Sequence, residues 1–307
     1  MGSVFKWAQY SSKLNVSQSG DQLTATGNQS DLVGLLKLLS PKPADKNKPL
    51  FVFLPGMDGS GTLLQPQVER LAPWFDIRCL MLSPQDDQSN WMTLAQQVSQ
   101  LITEAVRPQE RAIASNKNSA PPSSTRRRAI YLCGESFGGC LGMQVLTLSP
   151  HLFEKAIFIN PASSFRRLPW MQLGPLITRQ LPSLAYRYSA RGLVPFLIEP
   201  SRVDKQNRLA LEIAMGNVPA KTAAWRMTLL SKFDAERLPL ERMTHPVLLI
   251  GGGNDRLLPS TREVKALQRR FPSAQVTLLP RSGHACLLET DTNLISILRA
   301  HQFLPAL

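Results

Sequence analysis

The sequence predicts an α/β protein, a mostly parallel sheet flanked by helices. Three observations carry that prediction. Short continuous apolar runs, the pattern of strands buried on both faces, recur along the chain, as in Leu50–Leu54 and Val247–Ile250. Between them lie stretches with apolar residues at helical spacing, so strands alternate with helices. One junction, from Ala129 to Leu148, reads strand, tight glycine-rich turn, helix.

Length and composition bound the rest. The chain has 307 residues, enough for one large domain with a sizeable insertion, and its 43% hydrophobic content suffices for a full core. No apolar run reaches the ~18 residues of a membrane span. Met1-Gly2-Ser3-Val4-Phe5-Lys6 has no charged region ahead of an apolar one, so no secretory leader is expected. An opening poor in acids and rich in Ser and Gln is compatible with the remnant of a transit peptide. Cys79, Cys133, Cys140 and Cys286 show no metal-ligand spacing, and buried reduced thiols are expected.

Residues 1–49 form a weakly patterned N-terminal segment, with Gln22–Thr26 a candidate edge strand and Leu32–Leu39 a short amphipathic stretch. A polar connector, Pro41 to Pro49, leads to the strand Leu50–Leu54. That strand runs into Pro55-Gly56-Met57-Asp58-Gly59-Ser60-Gly61, a turn that brings backbone amides to a sheet edge. It lacks the G-x-x-x-x-G-K-[ST] of a phosphate loop. Leu63–Trp74 reads as a helix and Asp76–Leu82 as the next strand. Trp91–Val106 carries Leu94, Val98, Leu101, Ile102 and Ala105 at helical spacing. Residues 107–128 are rich in Pro, Ser, Asn and Arg without periodicity, which predicts an exposed mobile loop. Lys155–Ile159 is the strand after the glycine-rich junction, and Val247–Ile250 the one after that. The roughly 80 residues between them are too many for a simple crossover. Apolar residues there, Leu173, Leu176, Ile177 and Leu181, fall on one helical face, and Pro169, Pro175 and Pro182 keep the helices short. Arg262–Arg270 reads as a helix, Gln275–Leu279 as the last strand and Thr292–Leu298 as the start of the closing helix.

Charge is unevenly placed. Of the net +13, residues 107–128 hold six Lys or Arg against one acid, and residues 164–240 hold twelve against five, leaving the remainder close to neutral. A face confined in this way points to an anionic surface. No nucleic-acid reading motif or aromatic interleaving is present, so a membrane surface is the better partner. Trp170, Met171, Leu173 and Leu176 stand among Arg166, Arg167, Arg179 and Arg187, the composition of helices at a lipid interface.

The glycine-rich junction is Gly134-Glu135-Ser136-Phe137-Gly138, a G-x-S-x-G in the strand–turn–helix setting that exposes a serine Oγ at the sheet's C-terminal edge. Phe137 N–H then lies at a helix N-terminus, where it stabilises an oxyanion. Of four histidines, His151 falls in a turn, His245 at the wrong end of a strand and His301 in the terminal helix. His284 alone follows a strand's C-terminal edge, as the base for the Ser136 proton. Asp255 follows another such edge and would hold the imidazole tautomer.

Phe53-Leu54-Pro55-Gly56-Met57-Asp58-Gly59-Ser60-Gly61, the Gly134–Leu141 elbow and Ile159-Asn160-Pro161-Ala162-Ser163-Ser164-Phe165 together resemble the α/β-hydrolase superfamily. More narrowly they are similar to the hydrolase-type half of plant and cyanobacterial phytyl ester synthases. The resemblance implies the α/β-hydrolase fold, with a core of residues 50–163 and 241–307 and a helical lid, residues 164–240, inserted after the strand that follows the nucleophile helix. It implies Met57 N–H as the second oxyanion donor and a Ser136, Asp255, His284 catalytic triad, in the chain order that fold uses. It implies transfer or hydrolysis of fatty acyl groups from an ester or thioester, with water, phytol or another long-chain alcohol as acceptor, and no metal, nucleotide or other cofactor. The expected location is cytoplasmic or plastid-stroma-like, peripheral on thylakoid membrane and not secreted. The plant proteins carry a second, acyltransferase-like half with an H-x4-D motif; here His284 to Glu289 is only H-x4-E, so chemistry is expected to rest on Ser136 alone. A different class of reading is a non-catalytic membrane- or pigment-protein-associated binding protein on the same fold, which an intact triad argues against.

Overall fold

Alternation along the strands builds the centre of the molecule. The structure is a computed structural model that describes residues 36–84, 89–115 and 127–305. In β2 (Leu50–Leu54), Leu50, Val52 and Leu54 enter one apolar layer while Phe51 and Phe53 enter the opposite one, with none exposed. β4 (Ile130–Glu135) and β5 (Lys155–Ile159) divide their residues the same way, so helices must cover both faces. With β1 (Lys37–Leu39), β3 (Asp76–Met81), β6 (Val247–Gly252) and β7 (Ala274–Leu279), the sheet has, among the described residues, seven strands in the order β1-β3-β2-β4-β5-β6-β7. Only β1 is antiparallel, pairing Leu38 with Leu80. All C-terminal ends of the parallel strands therefore face one edge, where the chain's loops can converge.

The helices follow in order. α1 (Gln65–Leu71) covers the Phe51 face; α2 (Trp91–Ser115) and α3 (Phe137–Leu148) cover the Leu50 face. After β5 come α4 (Pro169–Gln172), α5 (Gly174–Gln180), α6 (Ser183–Gly192), α7 (Val194–Leu197), α8 (Lys205–Gly216) and α9 (Ala220–Lys232), an insertion of helices before β6. α10 (Ser260–Gln268) returns to the Leu50 face and α11 (Leu294–Ala300) to the Phe51 face. Pro169, Pro175 and Pro195 take the first or second helical position, where a missing N–H costs nothing, and Pro182 lies in the short break between α5 and α6.

Three sequence expectations change. α2 continues to Ser115, so the first nine residues of the predicted 107–128 loop are helical. Gln109-Glu110-Arg111-Ala112 are good helix formers, and the helix runs through Pro108 to reach them. Residues 116–126 and the candidate strand Gln22–Thr26 lie outside the described residues. Second, the stretch ending at Leu39 contributes a strand, β1, to the sheet edge. Third, Met171 is buried in the core while Trp170, Leu173 and Leu176 on the same segment are exposed. One face of α4 seats on the sheet layer, and its neighbours turn outward.

Within the insertion α9 is the most embedded element. Trp91 Nε1 donates to Leu229 O at 2.7 Å and Trp225 Nε1 to Ser89 O at 2.9 Å, while Thr222 Oγ1 bonds Pro84 O. Nine of the twelve exposed large apolar side chains among the described residues belong to the insertion, Trp170 (61% exposed) and Leu176 (65%) among them. Arg166 pairs with Asp234 and Arg167 with Glu263, so two arginines of the basic cluster are engaged on the protein. Among the described residues no helix is long and apolar enough to cross a membrane.

Candidate active site

Ser136 closes β4 with φ 53° and ψ −113°, a strained conformation for a residue with a Cβ. The surroundings over-determine it. Its N–H donates to Ile159 O at 3.0 Å, and its carbonyl accepts from Gly139 and Ala162 N–H at 3.0 and 3.1 Å. The turn closes only because two glycines lie within it. A Cβ on Gly134 would overlap the Gly138 carbonyl, and one on Gly138 would overlap the Leu54 carbonyl. Compression of β4, turn and α3 into this corner is what lifts the serine Oγ off the strand.

His284 and Asp255, 148 and 119 residues further along the chain, come to the same edge on the loops after β7 and β6. His284 Nε2 lies 2.8 Å from Ser136 Oγ, and His284 Nδ1 lies 2.7 Å from Asp255 Oδ2. Asp255 is fully engaged. Oδ1 accepts from the Leu257 and Leu258 amides, each at 2.9 Å, and Oδ2 also accepts from Ser260 Oγ. Burial opposes its charge, but the facing His284 and the bonds from His284, Ser260 and Leu258 outweigh it and hold the carboxyl below its usual range. Burial likewise opposes protonation of His284, yet Asp255, and behind it Glu135, raise its pKa above the ordinary value. The structure thus brings together the three residues singled out from sequence.

The loop that carries Met57 lies beside Ser136. The Gly56 position borders the serine: a Cβ there would lie 3.6 Å from Ser136 Cβ. Neither Met57 N–H nor Phe137 N–H has a hydrogen-bond partner among the described residues. The site is closed over, with Ser136 and His284 both buried. From the insertion, α9 meets the Met57 loop, and Leu197 O accepts from Ala285 N–H at 2.8 Å beside the histidine. The four residues assigned to the lid do not share one environment: Trp170, Leu173 and Leu176 point to solvent and Met171 into the core.

Several residues that shape the site carry little signal in the sequence. Asn160, at φ 42° and wholly buried, donates to His284 O at 2.6 Å and accepts from Gly252 N–H at 2.7 Å, tying β5, β6 and the histidine loop. Glu289, the acid of H-x4-E, accepts from Gly283 N–H at 2.8 Å and from Arg202 Nε at 2.9 Å, bracing the same loop. Glu199 of the insertion holds Asn254 at 2.7 Å, next to Asp255. Glu135 is buried beside Ser136 with its Oε1 unpartnered, and burial, reinforced by nearby Asp58 against the pull of His284, pushes its pKa up to about 8. Of these, only the Asn160-Pro161 dipeptide at a strand end stands out in the sequence. Among the described residues no three His, Cys, Asp or Glu side chains are placed to share a metal ion.

A parallel sheet that presents a strained serine, an aspartate and a histidine on the edge loops after β4, β6 and β7 defines a class of α/β enzyme. The chain belongs to the alpha/beta hydrolase family, whose model matches residues 51–295. It is 28% identical over 276 residues to phytyl ester synthase 1, chloroplastic, of Arabidopsis thaliana, covering 83% of this chain and 37% of the relative. It is 25% identical over 283 residues to phytyl ester synthase 2, chloroplastic, of the same plant, covering 84% and 38%. The chain thus spans less than half the length of these relatives. In structure it is similar to a hydrolase from Oleispira antarctica, with a TM-score of 0.64, 15% identity and coverage of 87% of this chain and 93% of that one. That likeness supports the fold.

Proposed function

We propose that this enzyme is a serine-dependent acyl-ester hydrolase or acyltransferase acting on lipid-like substrates through an acyl-enzyme. One observation carries the reading: Ser136 Oγ, His284 and Asp255 form a continuous hydrogen-bonded line, at 2.8 and 2.7 Å, ending at a strained serine. His284 Nε2 takes the Ser136 proton as Oγ bonds to the carbonyl carbon of an ester or thioester. The oxyanion is met by the Met57 and Phe137 amides. The C–O or C–S bond to the leaving group then breaks, and the imidazolium returns its proton to that group. Water or a long-chain alcohol, deprotonated by His284, attacks the acyl-enzyme, releasing a carboxylic acid or a new ester and restoring Ser136.

The substrate side of the proposal rests on the similarity to phytyl ester synthases and on the insertion. Fatty acyl donors, with phytol or a glycerolipid alcohol among the acceptors, are the substrates this similarity favours. We read residues 164–240 as a lid that meets an anionic bilayer with Trp170, Leu173 and Leu176, which places the enzyme peripherally on a membrane such as the thylakoid. A fluorophosphonate label with peptide mapping tests the chemistry. The expected adduct is on Ser136, and Ser136→Ala loses at least ~10³-fold of short-chain p-nitrophenyl ester turnover with little change in melting temperature. Retention of a tenth of the activity by that variant would remove Ser136 as nucleophile.

A further inference from the structure

The Met57 loop is met from the insertion by apolar packing, Tyr186, Val218 and Ala223 against Met57, and by one guanidinium. Arg226, on α9, is 1% exposed and is the largest fully buried side chain among the described residues. A guanidinium in that setting is destabilising unless its donors are used. Its Nη1 donates to Met57 O at 2.6 Å, and Nη2 reaches Ser83 O at 3.4 Å. The group lies against Gly59: a Cβ there would stand 2.6–2.7 Å from Nη1, Nη2 and Cζ. Gly59 therefore supplies both the left-handed turn, at φ +66°, and the space the guanidinium fills.

The geometry of the turn sets where the Met57 amide points. Gly59 N–H donates to Gly56 O at 3.1 Å. In a trans peptide the carbonyl and the following N–H point opposite ways, so this bond aims Met57 N–H out of the turn. Arg226 then fixes the next peptide plane by its carbonyl. The planes on both sides of the Met57 Cα are held, one by the turn itself and the other by the insertion.

We infer that Arg226 is a positioning residue for the oxyanion hole, through which the seating of helix Ala220–Lys232 aims the Met57 amide at the substrate carbonyl. This rests on the reading of Met57 N–H as an oxyanion donor. Arg226 then links the insertion to the oxyanion loop, beside the Leu197, Glu199 and Arg202 contacts that brace the Asp255 and His284 loops, and a movement of α9 that withdrew the guanidinium would slacken the donor while leaving Ser136, His284 and Asp255 in place.

The test compares Arg226→Met, Arg226→Lys and Gly59→Ala with wild type on a short-chain p-nitrophenyl ester. Each is also titrated with an aryl trifluoromethyl ketone, whose serine adduct carries the oxyanion. Arg226→Met is expected to lower kcat by about 10²-fold with KM little changed, and to weaken the ketone by a similar factor. Arg226→Lys, which restores the charge and a donor, recovers a large part of both. Gly59→Ala, which displaces the guanidinium without removing it, moves both in the same direction by roughly tenfold. If Arg226→Met does not fold, the other two variants carry the comparison. Wild-type kcat in any folded variant lacking the Arg226–Met57 bond, or a loss of kcat with ketone affinity unchanged, overturns the inference. A wild-type protein that neither turns over ester nor labels at Ser136 overturns instead the enzymatic reading beneath it.

Discussion

Strand β4 and helix α5 draw on similar apolar residues and treat them in opposite ways. Every side chain of Ile130–Glu135 is buried, whereas Leu176 and Ile177 of α5 stand more than half exposed. The difference is one of partners. A central parallel strand has a neighbour on each side and helices over both faces, so no apolar atom is left over. α5 packs along α9, and among the described residues nothing covers the outer face that carries Leu176 and Ile177. A cluster of exposed large apolar side chains on a single segment is uncommon unless something is to cover it. The core is therefore organised for rigidity, and the insertion, on the reading proposed above, for contact. Substitutions in the two should read out on different instruments, stability and chemistry for the first, surface binding for the second.

The largest effect is expected in the core turn. Gly138→Ala places a methyl group against the Leu54 carbonyl, backbone on backbone, with no side chain free to yield. We expect it to destabilise the protein by about 3 kcal/mol or more and to abolish fluorophosphonate labelling; a thermal scan and the label decide it. A well-folded, labelled variant would show the corner to be softer than the comparison requires.

Next comes the charge behind the base. Asp255→Asn is expected to lower kcat on the order of 10³–10⁴-fold. His284 must be neutral to accept the serine proton, and its pKa is raised above 6.5. Wild-type kcat/KM should therefore climb with pH along a limb centred above that value. In Asp255→Asn the residual rate should show the limb at lower pH, because the main charge sustaining the imidazolium is gone. A limb that stays in place would separate Asp255 from the titration.

Smaller still is the effect of Glu135. Its folded pKa, about 8, lies above the ordinary 4.5. As pH rises between these values the unfolded chain has lost its proton while the folded protein keeps it. Stability therefore falls across that window and is lowest above it. Glu135→Gln removes the penalty. Its melting temperature should exceed that of wild type by roughly 3 °C or more at about pH 9 and by less at about pH 5. Equal shifts at both pH values would show that Glu135 is ionised in the folded protein throughout.

The smallest effect on the protein itself belongs to the insertion. Leu176→Ser with Ile177→Ser should leave the melting temperature and soluble-ester turnover within error, since neither side chain is buried. Binding to vesicles containing anionic lipid should weaken by roughly tenfold or more, from the apolar area no longer transferred. Unchanged co-sedimentation would show that this face does not meet lipid, and the contrast with the core would then need another partner to explain it.

Legibility from the sequence divides along the same boundary. The sheet was readable because a strand buried on both faces must be apolar throughout, a local property of Leu50–Leu54 and Val247–Ile250. Ser136, Asp255 and His284 were readable because each follows a strand end, and parallel strands send all such ends to one edge. By itself the sequence determined that these residues share an edge. Their approach to 2.8 and 2.7 Å depends on bonds between segments far apart in the chain, made by residues with ordinary neighbours: Asn160 to His284, Glu289 to Gly283, Glu199 to Asn254. Arg226 counted in the sequence as one more charge of a basic segment, and tertiary structure put it under the Met57 loop. Met171 and Trp170 are adjacent and alike in apolarity, yet one is buried and the other exposed. Apolar spacing shows that a helix has a face to bury. Which way that face turns is decided only by what the rest of the chain packs against it.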